Sequence, residues 1–294
     1  MDIGWSVTSW IAGLDGDELI GAITERSVAA REAGFDSLHI GDRHGMAVPY
    51  AANFVLAGRL GTLWPRRFGV LVVSTLWNPV LLAEQIATVS ASTRNLTIVV
   101  AMGDGDAHFG SVGVPVAERL ALFVDGLAVT RALLDGETVS ATVGPYQIKD
   151  AQVRLSGRGS IEWWVAASAP VGIRRAARIA DGWLASAKLT PKQALEGLAT
   201  YREATGGSGR AVLRREVYVA ADDDDVARNA EPLVRAGHRG YAKEAILRGT
   251  VEPISEQVKF FADHGFDELL ARSLVPEQQL ALASIERFAE VLNG

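Results

Sequence analysis

Strand-like and helix-like patterns alternate along nearly the whole of this chain, and no other property of the sequence narrows its fold as far. Short apolar runs at 2–8, 35–40, 67–73, 96–101, 162–166, 183–186, 212–219 and 268–271 read as eight strands. Between them, apolar residues recur at helical spacing over 15–33, 50–63, 80–90, 116–134, 171–180, 191–204, 226–234 and 254–264. Strict alternation implies parallel strands joined by crossover helices, and eight repeats suit a closed α/β barrel better than an open sheet. The expected fold is therefore a (β/α)8 TIM barrel with insertions, occupying 1–294 as one domain. Two segments break the rhythm. One is an excursion at 136–159, with turn signals at Gly144-Pro145 and a β-like stretch at 146–155. The other is the 236–250 region, which contains Gly237-His238-Arg239-Gly240-Tyr241 and is expected to form an active-site loop.

Composition limits the partners. At 294 residues, with 48% hydrophobic and 22% charged residues, the chain has apolar material for a large core and too much for disorder. A net charge of -6 argues against a sequence-independent grip on nucleic acid, which relies on Lys and Arg meeting phosphates. No run approaches the length of a membrane span, and the start, MDIGWSVTSW, lacks a basic segment followed by an apolar one. A cytoplasmic enzyme with a small-molecule substrate is the expectation. The absence of cysteine excludes thiolate metal sites and a cysteine nucleophile.

In such a barrel the chemistry sits at the C-terminal ends of the strands, so the loops there hold the candidates. Around 166–169, Ala166-Ala167-Ser168-Ala169 leads to Pro170 and a basic helix pattern containing Arg174, Arg175 and Arg178. Small residues at a helix start leave N–H groups open to an anion, most often phosphate; the alternative is a turn whose small residues merely pack tightly. After the second strand come Asp42, Arg43 and His44, where His44 or Arg43 can contact substrate or donate a proton and Asp42 can orient its neighbour. After the fourth, Met102-Gly103-Asp104-Gly105-Asp106-Ala107-His108 combines backbone freedom with two carboxylates and an imidazole. Asp104 is a candidate proton donor or hydrogen-bond acceptor, and no metal is assigned to this loop. Trp5, Trp10, Trp77 and Trp183 suggest an apolar or planar pocket.

Several stretches, AAREAGFDSLHIGDRH, NPVLLAEQIATVS, AMGDGDAHFG, WVAASAPVGIRRAARIADGW and GTVEPISEQVKFFADHGFDELL among them, resemble the bacterial luciferase-like superfamily of flavin and deazaflavin oxidoreductases, in the family's order. The resemblance implies a TIM barrel binding coenzyme F420 or FMN at the strand C-terminal face. It implies the phosphate at Ala167, Ser168 and Ala169, and the ring against a non-prolyl cis peptide that falls at Gly69–Val70. It further implies cofactor contacts from Asp42, Gly69, Val70, Val72, Met102, Gly103, Asp104, Ala166 and Ser168. Where many members have an acid–histidine pair after strand two, Arg43 takes the paired position and His44 follows. His44, Arg43 and Asp104 are thus the catalytic expectation.

Gly103-Asp104 and the VAASAP turn are similar to deazaflavin users, which favours coenzyme F420 and hydride transfer. FMN and monooxygenation is the alternative. Homodimers are common among the members.

Overall fold

A parallel strand buried on both faces has no polar side to show water, which is why the strands of this chain read as near-continuous apolar runs. The computed structural model describes residues 1–103, 106–157 and 159–293, and shows how those runs close on one another. In chain order the strands are β1 (Asp2–Val7), β2 (Ser37–Ile40), β3 (Arg67–Val73), β4 (Leu96–Ala101), β5 (Val139–Val143), β6 (Tyr146–Ala151), β7 (Ile161–Ala167), β8 (Gly182–Ala185), β9 (Arg210–Val219), β10 (Ile246–Gly249) and β11 (Glu268–Ser273). Strands β1, β2, β3, β4, β7, β8, β9 and β11 pair in parallel in that cyclic order, with β11 returning to β1. The fold is a closed eight-stranded α/β barrel, and each strand expected from the sequence lies in its wall.

The three remaining strands are additions. The excursion at 136–159 carries β5 and β6, an antiparallel hairpin whose inner face packs on a small cluster with Ala83, Leu122 and Leu133. Strand β10, unforeseen in the sequence, pairs with the upper end of β9 in the register Glu216↔Ile246 to Val219↔Gly249. It lies in the 236–250 region, which also holds two short 3-10 turns at His238–Gly240 and Lys243–Ala245. A C-terminal helix, Gln278–Asn293, is likewise additional to the expected set and packs against the first helix, Gly16–Ala33.

The helices start where local chemistry directs. Asn78 caps Pro79–Ser92 by accepting from the Val80 and Leu81 N–H groups, and Thr190 with Gln193 forms a reciprocal capping box on Pro191–Thr205. Inside the barrel, side chains stack in layers. A polar layer at the N-terminal end holds Glu268, Arg67 and Arg210, with Ser37 donating to Glu268. Above it lies an apolar layer of Leu71, Val99, Trp164, Leu184, Val212 and Leu270, which floors the mouth.

Candidate active site

Four walls, built at the strand ends, make the mouth. Beyond β2 the chain runs into Asp42, whose side chain is wholly buried and whose Oδ2 accepts from the Val73 N–H at 2.8 Å. That bond ties the loop to the end of β3. The other oxygen, Oδ1, stands 3.0 Å from His44 Nε2. His44 meets Trp77 edge-on at 5.3 Å, and Trp77 meets Phe54 in the same way, so the imidazole is braced on its carboxylate and on an aromatic stack. Beside it, the Arg43 guanidinium lies 5.2 Å above the Trp10 ring. Burial, with Arg272 close by, lowers the Arg43 pKa.

At the end of β4, Met102 is held by the Thr75 hydroxyl, which donates to its carbonyl at 2.9 Å. Gly103 adopts φ +74°, and a Cβ there would sit 2.7 Å from Val73 Cγ1, so glycine is demanded twice over. Asp104 falls outside the described residues. His108 follows on a short helix, its Nε2 2.7 Å from Met46 Sδ.

Beyond β7, Trp183 Nε1 donates to the Ala167 carbonyl at 2.9 Å and fixes the turn. The helix Pro170–Ile179 opens at Ala169 with no side chain capping it, so its N-terminal end is left to whatever enters. Ala167 and Gly172 approach so closely that a Cβ on Gly172 would be 3.1 Å from the Ala167 Cβ. Of the three arginines noted in the sequence, Arg175 lines the groove in front of this turn, while Arg174 and Arg178 are exposed.

The fourth wall was not anticipated. Inward positions within β9 and at the end of β11 carry Arg214, Glu216 and Arg272. Arg272 Nε donates to Glu216 Oε1 at 2.9 Å, and Arg239 and His238 approach the same oxygen at 3.8 and 3.9 Å. Burial by itself would raise the Glu216 carboxyl; Arg272 and its cationic neighbours outweigh it and hold the pKa down. Burial, aided by Arg272, lowers the pKa of Arg214 to about 10. The available signal was parity: Arg214 and Glu216, two apart in an apolar run, must share one face of the strand.

These walls enclose two adjoining spaces. A groove of about 810 Å³ fronts the turn, lined by Ala166 to Ala169, Arg119 and Arg175. A cavity of about 430 Å³ occupies the mouth, lined by Asp42, Arg43, His44, Gly103, Arg214 and Arg272 among others. Both are bounded by Met102, Ala166, Ala167 and Ser168, so they join across the ends of β4 and β7.

Three expected contacts lie elsewhere. Val70 and Val72 are fully buried in the main core cluster outside the mouth, and Leu71 and Val73 line the cavity instead. Gly69 sits lower, paired with His39 and Thr97, and the His39 ring occupies the space a side chain would take. Among the described residues no peptide bond is cis, so the Gly69–Val70 bond is trans. Trp5 and Trp183 belong to the core.

The chain belongs to the luciferase-like family of oxidoreductases: the family model for luciferase-like monooxygenase matches residues 1–282. It is 26% identical to a phthiodiolone/phenolphthiodiolone dimycocerosates ketoreductase of Mycobacterium kansasii, over 91% of this chain and 95% of that one. It is 29% identical to an F420-dependent glucose-6-phosphate dehydrogenase of Beutenbergia cavernae, over 54% of this chain and 50% of the relative. Among solved structures, the monooxygenase RslO1 from Streptomyces bottropensis superposes with a TM-score of 0.84 at 17% identity, covering 100% of this chain and 99% of that one. No helix among the described residues is long and apolar enough to cross a membrane.

Proposed function

We propose that this protein is a coenzyme F420-dependent oxidoreductase that moves a hydride between the deazaflavin and a small organic substrate. The observation that carries this reading is the continuity of groove and cavity across Met102 and Ala166–Ser168. One elongated space has an anion-suited turn at one end and His44, seated against Asp42, at the other. The F420-dependent relative supports the choice of deazaflavin.

The residues present fit such a group. The uncapped helix start and Arg175 suit a phosphate, and the small side chains at 166–169 leave the backbone accessible to it. When bound, the deazaflavin supplies a ring carbon that gives or takes a hydride. Leu71, Val73 and Met102 would pack the ring, and the apolar layer beneath would keep water from it. His44 would hold or deliver a proton at Nδ1, the ring nitrogen not turned to Asp42, with Asp42 fixing the imidazole through Nε2 and Arg43 polarising the substrate oxygen. Asp104 remains assigned to the ring from its place in the sequence.

Titration of the purified protein with F420 and with FMN, following the fluorescence of each, tests the reading. F420 is expected to bind in preference, and Ser168→Asp to weaken it at least about tenfold by placing a carboxylate where phosphate must sit. A preference for FMN would move the protein to the monooxygenase alternative. Binding of neither would sink the cofactor assignment. If His44→Ala and Arg43→Ala both leave turnover unchanged, the proton-transfer roles fail.

A further inference from the structure

The fourth wall of the mouth carries more positive charge than its own carboxylates use. Arg43, Arg214, Arg239 and Arg272 converge there, with Lys188 at the rim. Among the described residues, the carboxylates that line or abut this cavity are Asp42 and Glu216. Asp42 is engaged by His44 and the Val73 N–H, and Glu216 by Arg272 through Oε1, while Glu216 Oε2 has no hydrogen-bond partner among the described residues. Arg43, Arg214 and Arg239 are left without a close carboxylate of their own; Arg239 approaches Glu216 only to 3.8 Å. Arg214 Nε is buried from solvent with no hydrogen-bond partner, and a buried guanidinium with an unmet donor is costly.

We infer that the substrate carries a compact oxyanion, a carboxylate or a phosphate monoester, and that Arg43, Arg214 and Arg239 receive it opposite the cofactor's phosphate turn. This inference rests on the proposed oxidoreductase reading and names its substrate class. The arginines burden one another: Arg272 lowers the pKa of Arg43, Arg214 and Arg239, and Arg43 adds to the effect on Arg239, after burial as the first cause in each case. An anion relieves that repulsion, and a neutral substrate does not. The mouth arginines and the groove's Arg119 and Arg175 line different spaces that meet at Ala166, Ala167 and Ser168, so an anion in the mouth and a phosphate in the groove would face different cations. An anionic end held at the arginines would orient the rest of the substrate toward His44, which lines the same cavity.

Calorimetric titration with inorganic phosphate and with acetate, on the protein alone and again after saturation with F420 or FMN, tests this. At least one anion is expected to bind the free protein and to remain bound beside the cofactor. Arg214→Gln and Arg239→Gln should each weaken it about tenfold or more, whereas Arg175→Gln, at a residue that lines the groove alone, should not. Arg239 lies on a surface turn, so its replacement keeps the test open if Arg214→Gln fails to fold. Stronger phosphate than acetate binding points to a phosphate monoester, and the reverse to a carboxylate. Anion binding unaffected by either arginine variant overturns the inference. So does displacement of the anion by cofactor, or a loss of cofactor affinity in Arg214→Gln as large as that of the anion, since the cluster would then serve the cofactor. If neither cofactor binds but the arginine-dependent anion site persists, the oxidoreductase reading falls and the anion site stands.

Discussion

His39 shows how a single side chain couples the barrel to pH. It stacks on Trp164 at 5.2 Å with an interplanar angle of 22°, and neither ring nitrogen has a hydrogen-bond partner. Burial, then the charges of Arg67, Arg210 and Arg214, push its pKa well below the ordinary 6.5, so the folded protein holds it neutral. The unfolded chain takes up a proton near pH 6.5 that the native state refuses. Stability from this residue is therefore complete above 6.5 and lost as pH falls below it, by at most about 1.4 kcal/mol per pH unit. Urea unfolding at pH 7.5 and 5.5 should show the wild type losing about 1 kcal/mol more than His39→Asn; equal losses would refute a neutral His39. At this scale Asp42, Arg43, His44, Met102 and Gly103 could be placed at the mouth from the sequence, because each follows a strand end. Val70 and Val72 could not be told from Leu71 and Val73, because alternation gives two faces and leaves open which one points inward. Arg214, Glu216 and Arg272 were hidden for the same reason, being charges within strands.

Among the elements, the helices take their boundaries from caps. Thr190 accepts from the Gln193 N–H at 3.3 Å while the Gln193 side chain accepts from the Thr190 N–H at 3.0 Å. Thr190→Ala should lower stability by about 1 kcal/mol, read as a shift of the urea midpoint at unchanged slope, with cofactor affinity intact. Eight strands were legible because apolar runs and helical periods alternate along nearly the whole chain. Strand β10 was not, since Ile246–Gly249 is four residues long and has no pattern of its own; pairing with β9 makes it a strand. The final helix has a readable apolar face, with Ala281, Ile285 and Phe288 buried, on a segment that lies beyond the eight strand–helix repeats.

For the molecule as a whole, the barrel is a stack of unlike layers: an ionic base, an apolar middle and a cationic mouth. Glu268 holds the base together. Its side chain is fully buried, accepting from Ser37 Oγ at 2.5 Å, Arg67 Nη2 at 2.5 Å and Arg210 Nε at 3.1 Å. Arg210 also pairs with Asp2, at the start of β1 and next to β11, so strands from opposite ends of the chain meet at this carboxylate. Glu268→Ala would leave two partly buried arginines facing each other and should cost about 3 kcal/mol or more. Thermal unfolding should place Glu268→Gln between Glu268→Ala and wild type, because its amide keeps the shape and one acceptor.

Strand β9 outlasts the barrel. Its lower half pairs with β8 and β11, and its upper end runs on with β10 beside it, where the Ala220 N–H meets the Gly249 carbonyl at 2.8 Å. The 221–245 stretch that carries Arg239 thus departs and returns at two neighbouring points clamped by the pairing of β9 with β10. Between those points the segment is packed down as well as anchored: Ala230 and Val234 cluster with Tyr218, Leu274 and Ala281, and Asp225 accepts from the Tyr218 hydroxyl at 2.8 Å. If Arg239 receives the substrate as inferred above, a graft of this segment between relatives would alter substrate preference while the fold survives only where the buried face that packs on β9 and the last helix is carried over with it.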